Sequence, residues 1–242
     1  MLHIFDIFIY QPLYNALIFF YNVIPGHDFG IAVILTTLVL KFLLVPLSKK
    51  QIESQKKMQE LQPKIKELQE KYKNNKEQQT KAIMEFYKVN KTNPFSGCLP
   101  LIIQLFFLIA IYRVIINISE AGFVVNPSDL YAFIPDPGAI NHFFLRIMDL
   151  TKPNYILAIL SAAAQYYQTK MLFQSQNNIP KPKGGASTEP DFTAIMNKQM
   201  LYLGPGLTLF IGATFPAALA LYWFFSTLFM IFQQRIIFKP KV

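Results

Sequence analysis

Cysteine is almost absent from this sequence. Cys98 is the one thiol in 242 residues, so no intramolecular disulfide can form, and its place beside a proline in an apolar stretch marks it as a small packing residue. The three histidines, His3, His27 and His142, lie far apart with no HExxH-type spacing. No G-x-G-x-x-G or P-loop run occurs, and Asp and Glu are missing from every long apolar segment. No enzyme signature remains, no metal ligands and no cofactor are expected, and the missing carboxylates weigh against an ion-coupled transporter. Charge is also thin: 15% of residues are charged, against about 25% in an ordinary soluble domain. The first 40 residues contain no Lys or Arg, as a secretory signal would need, and no Cys that could carry a lipid.

What is present is apolar and arranged in blocks. Hydrophobic residues make up 52% of the chain, and the mean hydropathy is +0.29. The blocks are about 20 residues long, the length of a helix that crosses roughly 30 Å of hydrocarbon. The expected fold is an all-α membrane protein with five transmembrane helices, a cytoplasmic helical hairpin and an N-terminal interfacial helix. The spans fall at 28–48, 94–117, 154–173, 194–214 and 216–237, the last two joined by a tight turn. Between them lie a hairpin at 49–93, an outer cap at 118–153 and a flexible loop at 174–193 that includes GGAS. A short tail, 238–242, ends the chain. Four prolines among aromatic residues in the cap suggest short irregular helices, and Gly204-Pro205-Gly206 should kink the fourth span.

Residues 1–27 carry aromatic side chains broken by Pro12 and dotted with Asp6, Gln11, Asn15 and Asn22. An amphipathic helix along the outer surface fits this pattern, and a sixth span is the other reading.

The net charge of +9 belongs to topology and not to a nucleic-acid surface. Residues 49–92 hold twelve Lys against six Glu, whereas the 118–153 loop holds only Arg146 and Lys152. Basic and base-poor connections alternate, which places the N-terminus outside and the C-terminus in the cytoplasm. Within the hairpin, Met58, Leu61, Ile65, Leu68 and Tyr72 recur every three or four residues as a narrow apolar seam. KNNKEQQ breaks it, Ile83 and Phe86 begin a second arm, and Pro63 should interrupt or bend the first.

Lys41 is the informative residue, since a Lys near a helix centre costs roughly 2.5–3.5 kcal/mol to insert. It lies roughly 12 Å from the cytoplasmic end, part of which its stem can recover by snorkelling, or it can face a wet interior. Polar residues on the other spans favour the second reading: Thr37 one turn before Lys41, Gln104, the stripe Ser161, Gln165 and Gln168, and Ser226 with Gln233. Trp223 and Tyr222 fit either an outer aromatic belt or a lining of that interior, and Arg113 is expected to snorkel outward.

Several segments resemble the YidC/Oxa family of membrane protein insertases. LQPKIKELQEKYK at 61–73 is similar to the first arm of that family's cytoplasmic hairpin. NPFSGCLPLIIQLFFLIAIYRVI at 93–115, LRIMDLTKPNYILAIL at 145–160 and FPAALALYWFFSTLFMIFQQRII at 215–237 resemble its second span, its outer loop entering the third, and its last span. ILTTLVLKFLLVPLSKKQ resembles its first. The family places an Arg where Lys41 stands, more often has FPSGLxLYW, and frequently has Asn where Thr227 lies. The resemblance implies a bacterial inner-membrane insertase or chaperone, without a large extracytoplasmic domain. It implies a hydrophilic groove open to the cytoplasm and lined by Lys41, Thr37, Gln104, Ser161, Gln165, Gln168, Trp223 and Ser226. Implied partners are nascent membrane proteins, membrane lipids, the ribosome and the Sec translocon, with no small-molecule substrate and no specific nucleic acid. The rival readings are a small anion channel or transporter using Lys41, and a purely structural assembly partner.

Overall fold

The structure, a computed structural model, describes residues 2–92, 99–174 and 192–238. Cys98, the GGAS segment, and the tail from residue 239 lie outside the described residues. The fold is a helical bundle with a hairpin at one end and an irregular cap at the other.

The chain enters through α1 (Leu2–Phe5), a wide turn over Asp6–Tyr10, and α2 (Gln11–Val23). Pro12 does not break this helix. The turn before it widens so that Gln11 N–H reaches the Asp6 carbonyl, which makes room for the proline ring at the start of α2. Tyr10, Leu13, Tyr14, Leu17, Ile18 and Tyr21 recur at helical spacing and are all buried. They pack against the core and against the cap, whose polar groups they also satisfy. Tyr14 and Tyr21 hydroxyls accept from the amides of Asn126 and Asn141, and Asn15 bonds the Asp129 carbonyl and the Tyr131 amide.

α3 (Phe29–Leu43) starts where Asp28 Oδ1 accepts from Ile31 N at 2.9 Å. It ends at Leu44, and α4 (Val45–Lys71) leaves at 66° to it. The expected straight span through residue 48 is therefore bent, because Pro46 has no N–H for the Phe42 carbonyl and forces a new helix start. Pro63, by contrast, does not interrupt the hairpin arm: α4 runs through it to Lys71. α5 (Lys76–Val89) returns, capped by the Asn75 side chain on Gln78 N at 3.1 Å. Ile65 of the seam is buried at 3% exposure, and Met58, Leu61, Leu68 and Tyr72 are half-buried. Across the two arms, Gln79 Nε2 donates to the Gln69 carbonyl at 2.6 Å.

α6 (Leu99–Glu120) climbs to the cap. The cap holds one short 3-10 turn at Pro127–Asp129 and two strands, β1 (Phe143–Phe144) and β2 (Met148–Asp149), paired antiparallel with Phe144 opposite Met148. This replaces the irregular helices expected there, since four prolines remove the donors that a helix needs. Phe144 covers Gly30, where any Cβ would collide with the ring. Leu150 and Lys152 carbonyls accept from Ala218 N and Ala217 N, satisfying donors at the start of the last helix. Partial burial pushes the Asp149 carboxyl up, but hydrogen bonds from Thr151 and Lys152 outweigh it and bring its pKa down to about 2.

α7 (Tyr155–Gln174), α8 (Phe192–Thr214) and α9 (Ala217–Phe238) complete the bundle. α8 continues through Gly204-Pro205-Gly206 as one helix. Small residues bring the helices close: a Cβ on Gly212 would lie 2.9 Å from Ala158, and Ala217, Ala218 and Ala220 are at most 3% exposed.

Ile103–Glu120 and Ala217–Ile237 are each long and apolar enough to cross a bilayer, and α3 with the first half of α4 makes a third if the bent pair is one span. α7 is of spanning length but carries Ser161, Gln165, Gln168 and Lys170, and the apolar part of α8 is only Leu201–Thr214. Large apolar side chains such as Phe42, Leu43, Phe106, Ile156, Leu203, Phe210 and Phe232 face outward. So broad an apolar exterior suits hydrocarbon and not water.

Candidate functional site

α3, α6 and α9 meet around a polar cluster. Lys41, on the last turn of α3, is 8% exposed. Its Nζ donates to Gln104 Oε1 at 2.9 Å, and among the described residues no carboxylate pairs with it. Gln104 is the hub. Its Oε1 also accepts from Ser226 Oγ at 3.3 Å, and its Nε2 donates to the Tyr222 hydroxyl at 3.1 Å. One amide thus joins three helices and holds a buried cation by its neutral oxygen.

A pocket of about 30 Å³, large enough for a water molecule, adjoins this cluster. Lys41, Ser48, Gln51 and Gln104 line it with Leu44, Leu47, Ile103, Phe107 and Met230. The remaining two Nζ donors of Lys41 therefore have polar surroundings to turn to.

A second hub lies on α7. Gln165 Oε1 accepts from Trp223 Nε1 at 3.2 Å and, more weakly, from Thr227 Oγ1 at 3.5 Å. Trp223 and Tyr222 are thus both turned to interior glutamines, and neither forms an aromatic belt.

The other expected residues divide. Ser161 donates to the Ala220 carbonyl at 3.0 Å, tying α7 to α9. Thr37 is 1% exposed and spends its hydroxyl on the Val33 carbonyl of its own helix at 2.7 Å. Gln168 is half-buried and belongs to neither hub. Sequence reasoning left Tyr222 open between an aromatic belt and the polar interior, and its bond to Gln104, one turn before Ser226, favours the interior. It passed over Gln51, Gln55 and Gln234, because glutamines next to lysine or arginine read as ordinary solvated surface. Arg113 does not simply extend outward: it is bonded to Asp6 at 2.6 Å and lies over the rings of Phe5 and Tyr10.

Five buried side-chain atoms have no partner among the described residues: Gln51 Nε2 and the Oε1 atoms of Gln55, Gln62, Gln233 and Gln234. Each such group costs about 1–3 kcal/mol when left unpaired. No group of three or more His, Cys, Asp or Glu able to hold a metal occurs among the described residues.

Residues 19–242 match the family model described as the 60Kd inner membrane protein. The membrane protein insertase YidC of Oceanobacillus iheyensis is 34% identical over 224 residues, covering 90% of this chain and 77% of that protein. The chain belongs to the YidC family. YidC of Fusobacterium nucleatum is 30% identical and is covered over 98% of its length, whereas YidC of Geotalea daltonii, 33% identical, is covered over 37%. The chain thus spans little more than a third of some YidC relatives and nearly all of others. A crystal structure of an active YidC insertase with its first transmembrane domain resolved superposes at a TM-score of 0.60, with 26% identity, over 96% of this chain and 47% of that one. With its apolar helices, the family places this YidC homologue in the bacterial inner membrane as a multi-pass protein.

Proposed function

We propose that this protein is a membrane protein insertase, and that the interior around Lys41 is where a client's polar leading segment is received. The observation that carries the reading is the buried lysine that, among the described residues, is held by Gln104 and paired with no carboxylate, beside a small pocket to which Ser48 and Gln51 also contribute. A cation kept in a bundle without a counter-ion attracts a passing carboxylate far more strongly than the same charge in water. Thr37, Gln104, Ser161, Gln165, Gln168, Trp223 and Ser226 complete the polar lining of the groove.

The arrangement has five spans, 28–48, 94–117, 154–173, 194–214 and 216–237, with the N-terminus outside and the C-terminus in the cytoplasm. The alternation of basic and base-poor connections supports this orientation. The segment 1–27 lies at the outer surface, where its tyrosines hold the cap. The hairpin, with its seam of Met58, Leu61, Ile65, Leu68 and Tyr72 and its excess of lysine, receives the nascent chain and meets the ribosome, the Sec translocon or anionic lipid.

The energetics need no nucleotide. About 20 apolar residues entering lipid gain on the order of 10 kcal/mol, while each charge carried through the core costs about 3 kcal/mol. What the protein supplies is a lower barrier for those few charges, after which the apolar helix leaves along the third and fifth spans.

The test is insertion of a small single-span client into liposomes holding the purified protein, read by protease protection of its outer tail. Protection is expected with the natural chain, reduced in Lys41→Ala and retained in Lys41→Arg. A client whose translocated acidic residues are neutralised should depend less on Lys41. Equal loss for both clients would overturn the attraction, and no protection above empty liposomes would overturn the insertase reading.

A further inference from the structure

The polar interior does not stop at Lys41. On α9, Tyr222, Ser226, Met230 and the pair Gln233 and Gln234 follow at helical spacing along one face. On α4, Ser48, Gln51 and Gln55 do the same, and Gln62 continues that face two turns further on. Ser48, Gln51 and Met230 share the pocket of Lys41 and Gln104, and α4 packs on α9. The two faces therefore meet directly beyond Lys41, toward the hairpin.

Gln51, Gln233 and Gln234 are 7%, 8% and 2% exposed, yet each has an unpartnered amide atom. Amides elsewhere in the interior are satisfied: Asn15 makes three hydrogen bonds and Gln104 three. All five unpartnered side-chain atoms found among the described residues fall on these two helices. The flanking charges of α4, Lys49, Lys50 and Glu53, are exposed on its other side.

We propose that Gln51, Gln55, Gln233 and Gln234 form a binding track for the extended main chain of the client's leading segment, on its way to Lys41. The inference rests on the insertase reading. A primary amide is a donor and an acceptor with the geometry of a peptide group, and turning it over only exchanges which of the two is free. Such a track binds any polypeptide whatever its side chains, which an insertase of many clients requires, and the lack of charge at the track leaves discrimination by charge to Lys41. Leaving these amides unpaired in the resting protein keeps their hydrogen bonds for the client.

The experiment uses the full chain in the liposome assay, with Gln51→Leu combined with Gln234→Leu. Leucine removes two unpaired amides, so thermal stability is expected to hold or rise, while the insertion rate falls on the order of tenfold. The loss should be the same for acidic and neutralised clients, in contrast to Lys41→Ala. A synthetic client N-methylated along its leading segment, which cannot donate main-chain hydrogen bonds but can still accept from Gln51 Nε2, should insert slowly with the natural chain and lose less further rate in the variant than the ordinary client. An insertion rate unchanged in the variant overturns the track, as does a rate loss accompanied by an equal loss of stability. An N-methylated client that suffers as much from the variant as the ordinary one also overturns it. Failure of the natural chain to insert any client would instead refute the insertase reading.

Discussion

Arg113 and Asp6, 107 positions apart, meet at 2.6 Å where the first turns of the chain cross α6. The guanidinium also lies 5.0 Å from the centre of the Tyr10 ring and 5.7 Å from that of Phe5. Both charged side chains remain about a third exposed, so the ion pair itself is worth about 1 kcal/mol or less, and the ring contacts add a similar amount. Arg113→Ala should lower stability by about 1–2 kcal/mol. A double-mutant cycle with Asp6→Asn, read by thermal unfolding in micelles, should give a coupling of about 0.5–1 kcal/mol. Zero coupling would mean that the contact is only steric.

Gln104→Leu should be the costlier change. It removes the acceptor of Lys41 Nζ and Ser226 Oγ and leaves a buried ammonium among apolar groups, a loss of about 3 kcal/mol. Trp223, the one tryptophan in the chain, reports unfolding by its emission. Adding Lys41→Met should recover much of the loss. If the double variant is as unstable as Gln104→Leu alone, Lys41 is not the group left stranded.

Gly212 sets the spacing of α7 and α8. Gly212→Val places methyl groups into the Ala158 backbone and should cost about 2 kcal/mol or more, beyond any gain in helix propensity. The same substitution at Gly206, where a Cβ would meet nothing within 4 Å, should be close to neutral. Thermal midpoints of the two variants decide the matter.

Asp149 makes the cap sensitive to acid. Its folded pKa of about 2 lies below the ordinary value of about 3.9, so its contribution is fully present above pH 4 and is lost as pH falls toward 2. Protection of the Thr151 amide from hydrogen exchange, relative to its intrinsic rate, should fall through that window. Asp149→Asn should remove the pH dependence there, and an unchanged profile would assign it to another group.

Much of this was legible in the sequence, for a physical reason. Lysine at position 41 is conspicuous because hydrocarbon penalises it, and Ser161, Gln165 and Ser226 stand out against apolar neighbours in the same way. The bend at Leu44 was less so, since Pro46 can either kink a helix or begin a new one, and only the packing of α4 on α9 selects. Pro63 and Pro205 lie inside continuous helices, because a long helix absorbs one lost hydrogen bond when its neighbours hold it. Gln51 and Gln234 stayed hidden because burial is a property of two helices together, and each helix alone presents them as surface. The pairing of Asp6 with Arg113 is a long-range contact to which no local spacing points.

The tyrosine and asparagine contacts of α2 also impose an order on synthesis. Tyr14, Asn15 and Tyr21 find their partners at Asn126, Tyr131 and Asn141, 112 to 120 positions later. The first helix leaves the ribosome long before the backbone it must hold exists. The cap can therefore lock only after four further helices, α3 to α6, and the cap segment itself have been made. Until that moment, the nascent protein is itself a client with an unsatisfied polar face.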